Sequence, residues 1–226
     1  MLQGPSETPL VGENSLAVAI AGSSITHDRG QRHVAFLYRH ESKNLLLLHL
    51  GWHELVYYER WPAKHYSWLE IGGIDPEVQE LFIDWVEIIA AAADDKTKPI
   101  PYSAIFRPAG NFDSSGHYID KSDGSGLTCA TFILAMFADY KMPLIDASSW
   151  PKRIEDFTWF RKIWKKLRTS FPELKITWIE QFKQRRNLKR FRPEEVVAAG
   201  SLYAGEPLAH DVVDKKVAQI SASFPT

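Results

Sequence analysis

Two apolar runs decide how this chain is read: His33-Val34-Ala35-Phe36-Leu37-Tyr38 and Leu45-Leu46-Leu47-Leu48-His49-Leu50. Between them His40, Glu41, Ser42, Lys43 and Asn44 form a polar turn, so the pattern predicts an antiparallel β-hairpin. With the turn centred near Ser42, His33 and His49 fall almost opposite each other. One imidazole can then serve as an acid–base group while the other orients it. Working outward, Leu16 to Ala21 (LAVAIA) suits a short buried strand, and Leu55 to Tyr58 a further one. Asp75-Pro76 is a helix start, with an acceptor at the N-cap and proline at the first helical position. Val78, Leu81, Phe82, Trp85, Ile88 and Ile89 then recur at helical spacing to about Ala93, and Pro99 with Pro101 forces an extended exit.

Residues 107 to 126 hold four glycines and many Ser and Asp, a long loop of the kind that more often carries function than not. It delivers the chain to Thr128-Cys129-Ala130-Thr131-Phe132-Ile133, where Phe132, Ile133, Met136 and Phe137 mark a buried helix. Cys129 falls on its first turn, where unpaired N–H groups and the helix dipole lower a thiol pKa and favour a nucleophile. A buried core cysteine is an equally ordinary use of the same residue. Because it is the only cysteine, a disulfide within the chain is excluded, and so is a zinc site needing two thiolates. His49 and His53 lie on a strand and its turn and share no helical face, so they do not read as a metal pair. Asp113, Asp120 and Asp123 lack a calcium-loop pattern, and the glycines lack a phosphate fingerprint. Neither a metal nor a cofactor is expected.

The 226 residues are 45% hydrophobic and 24% charged, which excludes a predominantly disordered chain. The net charge of -1 does not announce a nucleic-acid partner. That balance hides a local excess: residues 151 to 192 carry 14 Lys or Arg against four acids. With Trp150, Trp159, Trp164 and Trp178, this basic, Trp-rich segment at about 150–192 reads as helical, its Trp packed on the core. Lys165, Lys166, Arg185 and Arg186 are its candidates for weak substrate steering. Val196, Val197 and Leu202 suggest one more strand. Residues 1–14 read as a flexible lead-in and 15–226 as a single domain. No stretch has the form of a secretory signal or a membrane span, so the expectation is a chain that is cytoplasmic where it is made.

The segment HVAFLY…LLLLHL resembles the HxGIY…hairpin…H element of the NlpC-type cell-wall cysteine peptidases and the lecithin:retinol acyltransferase-like proteins. GSGLTCATFILAMF (124–137) resembles their xCxxF helix, and Pro101-Tyr102 the Tyr-containing segment that precedes it. The hairpin comes first here, as in the circularly permuted branch. Two departures stand: Thr128 occupies the position that is Asn in acyltransferase-like members, and the link from Tyr102 to Cys129 is longer than usual.

The resemblance implies an α+β, papain-like fold of permuted order, with an antiparallel sheet packed against helices. It makes Cys129 the nucleophile, His33 the general base and acid, and His49 the orienting residue. Tyr102 and Thr128 join the oxyanion and substrate site beside the Cys129 N–H, with Tyr118 and His117 as weaker alternatives. It implies a thiol hydrolase cutting an amide bond in peptidoglycan peptides, in the manner of antibacterial effectors. Such enzymes are carried by a dedicated machine, such as a type VI system, to a target periplasm, with a delivery or immunity protein as partner. The alternatives are a lipid acyl hydrolase or acyltransferase on the same Cys-His site and a non-catalytic binding module.

Overall fold

The computed structural model describes residues 2–4, 15–22, 31–39, 45–61, 65–120, 124–172 and 188–223. Every residue of Leu16–Ala21 is buried, as expected of a central strand covered on both faces. This strand, β1, is flanked by β2 (His33–Arg39) and β5 (Tyr66–Glu70). Beyond β2 lie β3 (Leu45–Trp52) and then β4 (Leu55–Arg60), giving a five-stranded antiparallel sheet in the order β4-β3-β2-β1-β5. The hairpin register pairs Phe36 with Leu48 and Arg39 with Leu45. The turn itself, 40–44, lies outside the described residues.

Alternation sorts the side chains onto two faces. Val18, Ile20, Val34, Phe36, Tyr38, Leu48 and Leu50 join the larger core, which includes the helices. Ala17, Ala19, Ala21, Ala35, Leu37, Leu47, Tyr66 and Trp68 form a second cluster on the opposite face. Helix α1 (Pro76–Ala92) starts where the sequence predicts: the Asp75 carboxylate accepts the Glu77 N–H at 2.9 Å. It sends Phe82 against Phe137 and Phe36, and Glu87 accepts the buried Tyr38 hydroxyl at 2.7 Å. Helix α2 (Cys129–Asp139) is apolar all round, and every residue from Cys129 to Ala138 is buried. A helix of that kind is held by packing rather than propensity.

Helix α3 (Ile154–Ser170) carries the basic segment and buries Ile163, Trp164 and Leu167. Residues 173–187, which include Trp178, Arg185 and Arg186, lie outside the described residues. The strand expected around Val196 is instead helix α4 (Pro193–Leu202). Proline at N1, Glu194 and Glu195 in the first turn and the following alanines outweigh two valines, whose strand preference is weak beside packing. Helix α5 (His210–Ala222) closes the order, so the protein is α+β with five α-helices among the described residues.

Two ties fix the long loop that precedes α2. The Asp139 carboxylate, at the far end of that helix, accepts the N–H groups of Gly110, Asn111 and Phe112 at 2.5 to 2.9 Å. Near its start, Leu127 donates to Pro101 O at 2.9 Å and Ser103 donates to Leu127 O at 3.2 Å. Only glycine fits at 126, since a Cβ there would strike the Pro101 carbonyl. The segment carrying Tyr102 therefore lies directly against the entry to α2.

Candidate active site

Cys129 is the first residue of α2, and the cap explains how that turn is organised. Thr128 at the N-cap accepts the Thr131 N–H at 3.2 Å while Thr131 Oγ1 accepts the Thr128 N–H at 2.7 Å, a reciprocal capping box. Such a cap contributes about 1 kcal/mol. The Thr128 hydroxyl, expected in the oxyanion or substrate site, is thus engaged in holding the helix start. Residue 128 positions Cys129.

The first-turn N–H groups have no partner inside their own helix. Those of Cys129 and Ala130, with the Val34 N–H from β2, pull the thiol toward thiolate. The Arg190 charge adds to their pull toward thiolate, yet burial is the larger effect and raises the thiol pKa above its ordinary value. The sequence leads one to expect a lowered value, because helix position is legible there and depth of burial is not.

On the sheet, His33 Nε2 and His49 Nδ1 are 2.9 Å apart, both side chains buried. The rings meet edge to face at 4.7 Å. Burial, and then the neighbouring His49, lowers the His33 pKa to about 3. Burial likewise lowers His49, against an upward pull from Glu59. Both imidazoles are neutral at pH 7, so one donates and the other accepts. Spending Nε2 on His49 leaves His33 with Nδ1 for a reacting group.

Glu59 of β4 brings an oxygen to 3.5 Å from His49 Nε2, an electrostatic contact without hydrogen-bond geometry. Tyr57 lies over the His49 ring at 5.3 Å, and Tyr66 approaches both imidazoles at 6.2 to 6.3 Å. Gly51 is required by that arrangement, because a Cβ there would overlap the Tyr57 ring.

His33 and His49 project on the face of Ala35 and Leu37, whereas α2 packs on the other face, against Val34 and Phe36. The sheet forks short of both histidines: the β2–β3 ladder ends at Phe36 and Leu48, while β3 continues along β4 to Trp52. The Val34 N–H that pulls on the thiol lies beyond that last pair, one peptide from His33. A Cys129 charge is also felt at Tyr66, the ring that flanks both histidines. The structure thus brings the two histidines together, and among the described residues no hydrogen bond or ring contact joins either of them to Cys129.

Tyr102 lies on the α2 side of the sheet, bridged to Leu127 at the entry to that helix. Its ring packs on Trp52 at 4.8 Å, and its N–H donates to His53 Nδ1 at 3.0 Å. Burial and the nearby thiol push its phenol pKa up, so the hydroxyl stays a proton donor. His117 is held by Asp95 at 3.3 Å and Ser115 at 2.9 Å, and Tyr118 lies 3.5 Å from Ser125. No contact joins either to Cys129, His33 or His49 among the described residues.

Sequence reasoning missed Glu59, His53 and Arg190. Glu59 and His53 act through strand register and a tertiary contact, for which the sequence holds no local signal. Arg190 is one cation among many in its segment, and only folding lets its charge act on Cys129. No cluster of three His, Cys, Asp or Glu able to hold a metal occurs among the described residues. No family model, curated protein or solved structure matches the chain.

Proposed function

We propose that this protein is a papain-like thiol hydrolase of permuted order that cleaves an amide bond, with peptidoglycan peptides as its substrate. The observation that carries this reading is the buried, neutral His33–His49 pair, whose 2.9 Å contact sits one residue from the Val34 N–H that pulls the Cys129 thiol toward thiolate. Burying two imidazoles costs free energy, which supports a chemical use for the pair.

In the proposed mechanism His33 Nδ1 removes the Cys129 proton as the sulfur attacks the amide carbon. His49 shares the resulting imidazolium charge through the 2.9 Å contact, with Glu59 behind it. The oxyanion is received by the Cys129 N–H and the Tyr102 hydroxyl. On collapse the C–N bond breaks and His33 returns its proton to the leaving amine. Water, deprotonated by His33, then hydrolyses the thioester and restores the thiol. A neutral resting pair means that the proton moves when substrate arrives, as in serine hydrolases, rather than before.

Among the described residues no helix is long and apolar enough to cross a membrane. Wall peptides as substrate would place the protein's action in a periplasm, and a delivery or immunity protein is part of the proposal. Mass spectrometry of peptidoglycan incubated with wild type and Cys129→Ala tests it. New free amine and carboxylate ends are expected with wild type alone; intact peptides with both would refute the substrate.

A further inference from the structure

The two edges of the sheet are finished differently. At β5 the chain covers its own edge: Gln3 and Trp68 exchange both backbone hydrogen bonds at 3.0 Å, on the side turned away from β1. β4 has no such cover. The Trp61 N–H donates to Leu45 O at 2.9 Å, and alternation along the ladder then turns the N–H and C=O groups of Val56, Tyr58 and Arg60 away from β3. No hydrogen bond takes these groups up among the described residues. The side chains leave the edge open as well. Leu55, Tyr57 and Tyr58 are 41 to 48% exposed, and residues 55–58 include neither a charge nor a proline. Ile88 of α1, next to the Glu87 that accepts the Tyr58 hydroxyl at 3.1 Å, extends the exposed apolar surface. An open apolar edge is a template for another strand, and proteins that stay alone blunt it.

We propose that β4 pairs antiparallel with β4 of a second copy of this chain, joining two sheets into one across a two-fold axis. The order of residues along the strand selects this occupant. Cross-strand partners share a face, so an axis normal to the sheet passes through a residue. Placed at Tyr57, it sets that ring beside its own copy, Val56 opposite the second copy's Tyr58, and Arg60 opposite the second copy's Glu54. These are an aromatic pair, a β-branched–aromatic pair and an ion pair. Placed at Tyr58, the axis sets Val56 against Arg60 and Tyr57 against Glu59, and no opposite charges meet. Arg60 has no ion pair of its own among the described residues. Glu54 holds a left-handed backbone, φ 59°, where Gly or Asn is the ordinary choice, so a carboxylate is kept there against backbone preference. In the same register the second copy's Leu55 comes opposite Glu59 and displaces water from a carboxylate 3.5 Å from His49 Nε2, so assembly reaches the candidate site.

Sedimentation equilibrium of the full chain, from about 1 to about 100 µM, reads the assembly directly. The mass should rise from 25.8 kDa to twice that value. Arg60→Glu or Glu54→Arg turns both ion pairs of the dimer into repulsions and should raise its Kd about tenfold. The double reversal restores opposite charges and should return the Kd to within about threefold of wild type. Both side chains are exposed, so the variants keep the fold. A chain that is monomeric throughout overturns the proposal and leaves the edge to an extended segment of another protein. A dimer indifferent to either reversal, or a double variant as weak as the singles, overturns the pairing of β4 with β4. Species larger than a dimer overturn it too, because a two-fold contact closes on itself. None of these outcomes bears on the hydrolase reading, which the peptidoglycan digest tests separately.

Discussion

Two buried polar regions of this protein solve the same problem in opposite ways. Where α3 meets α4, charges are kept and paired: Asp156 lies 3.0 Å from Arg192 and 3.6 Å from Arg153, and Glu195 binds Arg153, the Trp150 Nε1–H and the Arg192 N–H. At the sheet fork, charge is suppressed: His33 is pushed to about 3 and the thiol of Cys129 is pushed up, so both are neutral. The difference lies in partners. Two guanidiniums compensate Asp156, and one guanidinium with an indole and a backbone N–H compensates Glu195, whereas the fork offers the histidines one half-exposed glutamate at 3.5 Å. Paired charges stiffen a helix junction. Unpaired neutral groups stay ready to exchange a proton.

Breaking the paired region should have the largest effect on stability. Asp156→Ala removes the buried carboxylate shared by Arg192 and Arg153 and should cost about 3 kcal/mol, toward the low end for broken buried pairs because Arg153 keeps Glu195 and Arg192 keeps Glu155. Denaturant unfolding reads this directly, and a loss below about 0.5 kcal/mol, the scale of a surface change, would mean that the cluster is not structural.

Acid should attack the neutral region. Unfolded His33 titrates near 6.5 and the folded residue near 3, so between these values the unfolded chain binds the extra proton. Stability is therefore full above about pH 6.5 and declines as pH falls toward 3, by a few kcal/mol. The slope of unfolding free energy against pH should flatten in His33→Gln. Equal slopes for variant and wild type would show that His33 is not held neutral.

Function should fall in steps outward from the sulfur. His49→Gln keeps a hydrogen-bonding group but removes the partner that shares imidazolium charge, and kcat on a cleaved peptide should drop about 100-fold. Glu59→Gln should lose only several-fold, since an exposed carboxylate at 3.5 Å acts through solvent. An inverted order would make Glu59 rather than His49 the orienting group.

The same contrast explains what could be read in advance. The hairpin was legible because His33 and His49 end apolar runs of fixed period, and α2 because its apolar residues follow a capped turn. β5 was not, for Tyr66–Glu70 is five residues whose pairing with β1 is set by a distant strand. Val196 and Val197 suggested a strand, yet their neighbours Pro193, Glu194 and Glu195 start a helix that packs on β1. Burial depth decides the protonation of Cys129 and His33, and it belongs to the assembled fold rather than to any local pattern.

The coupling of Cys129 to His33 is tested most directly by the rate of Cys129 alkylation with iodoacetamide at pH 7. With a protonated thiol and a neutral imidazole, reaction requires His33 to take the proton. We therefore expect His33→Gln to react at least about tenfold more slowly than wild type, with the difference vanishing at a pH high enough to ionise the thiol unaided. Equal rates in the two proteins at pH 7 would contradict the pairing and leave Cys129 a core residue.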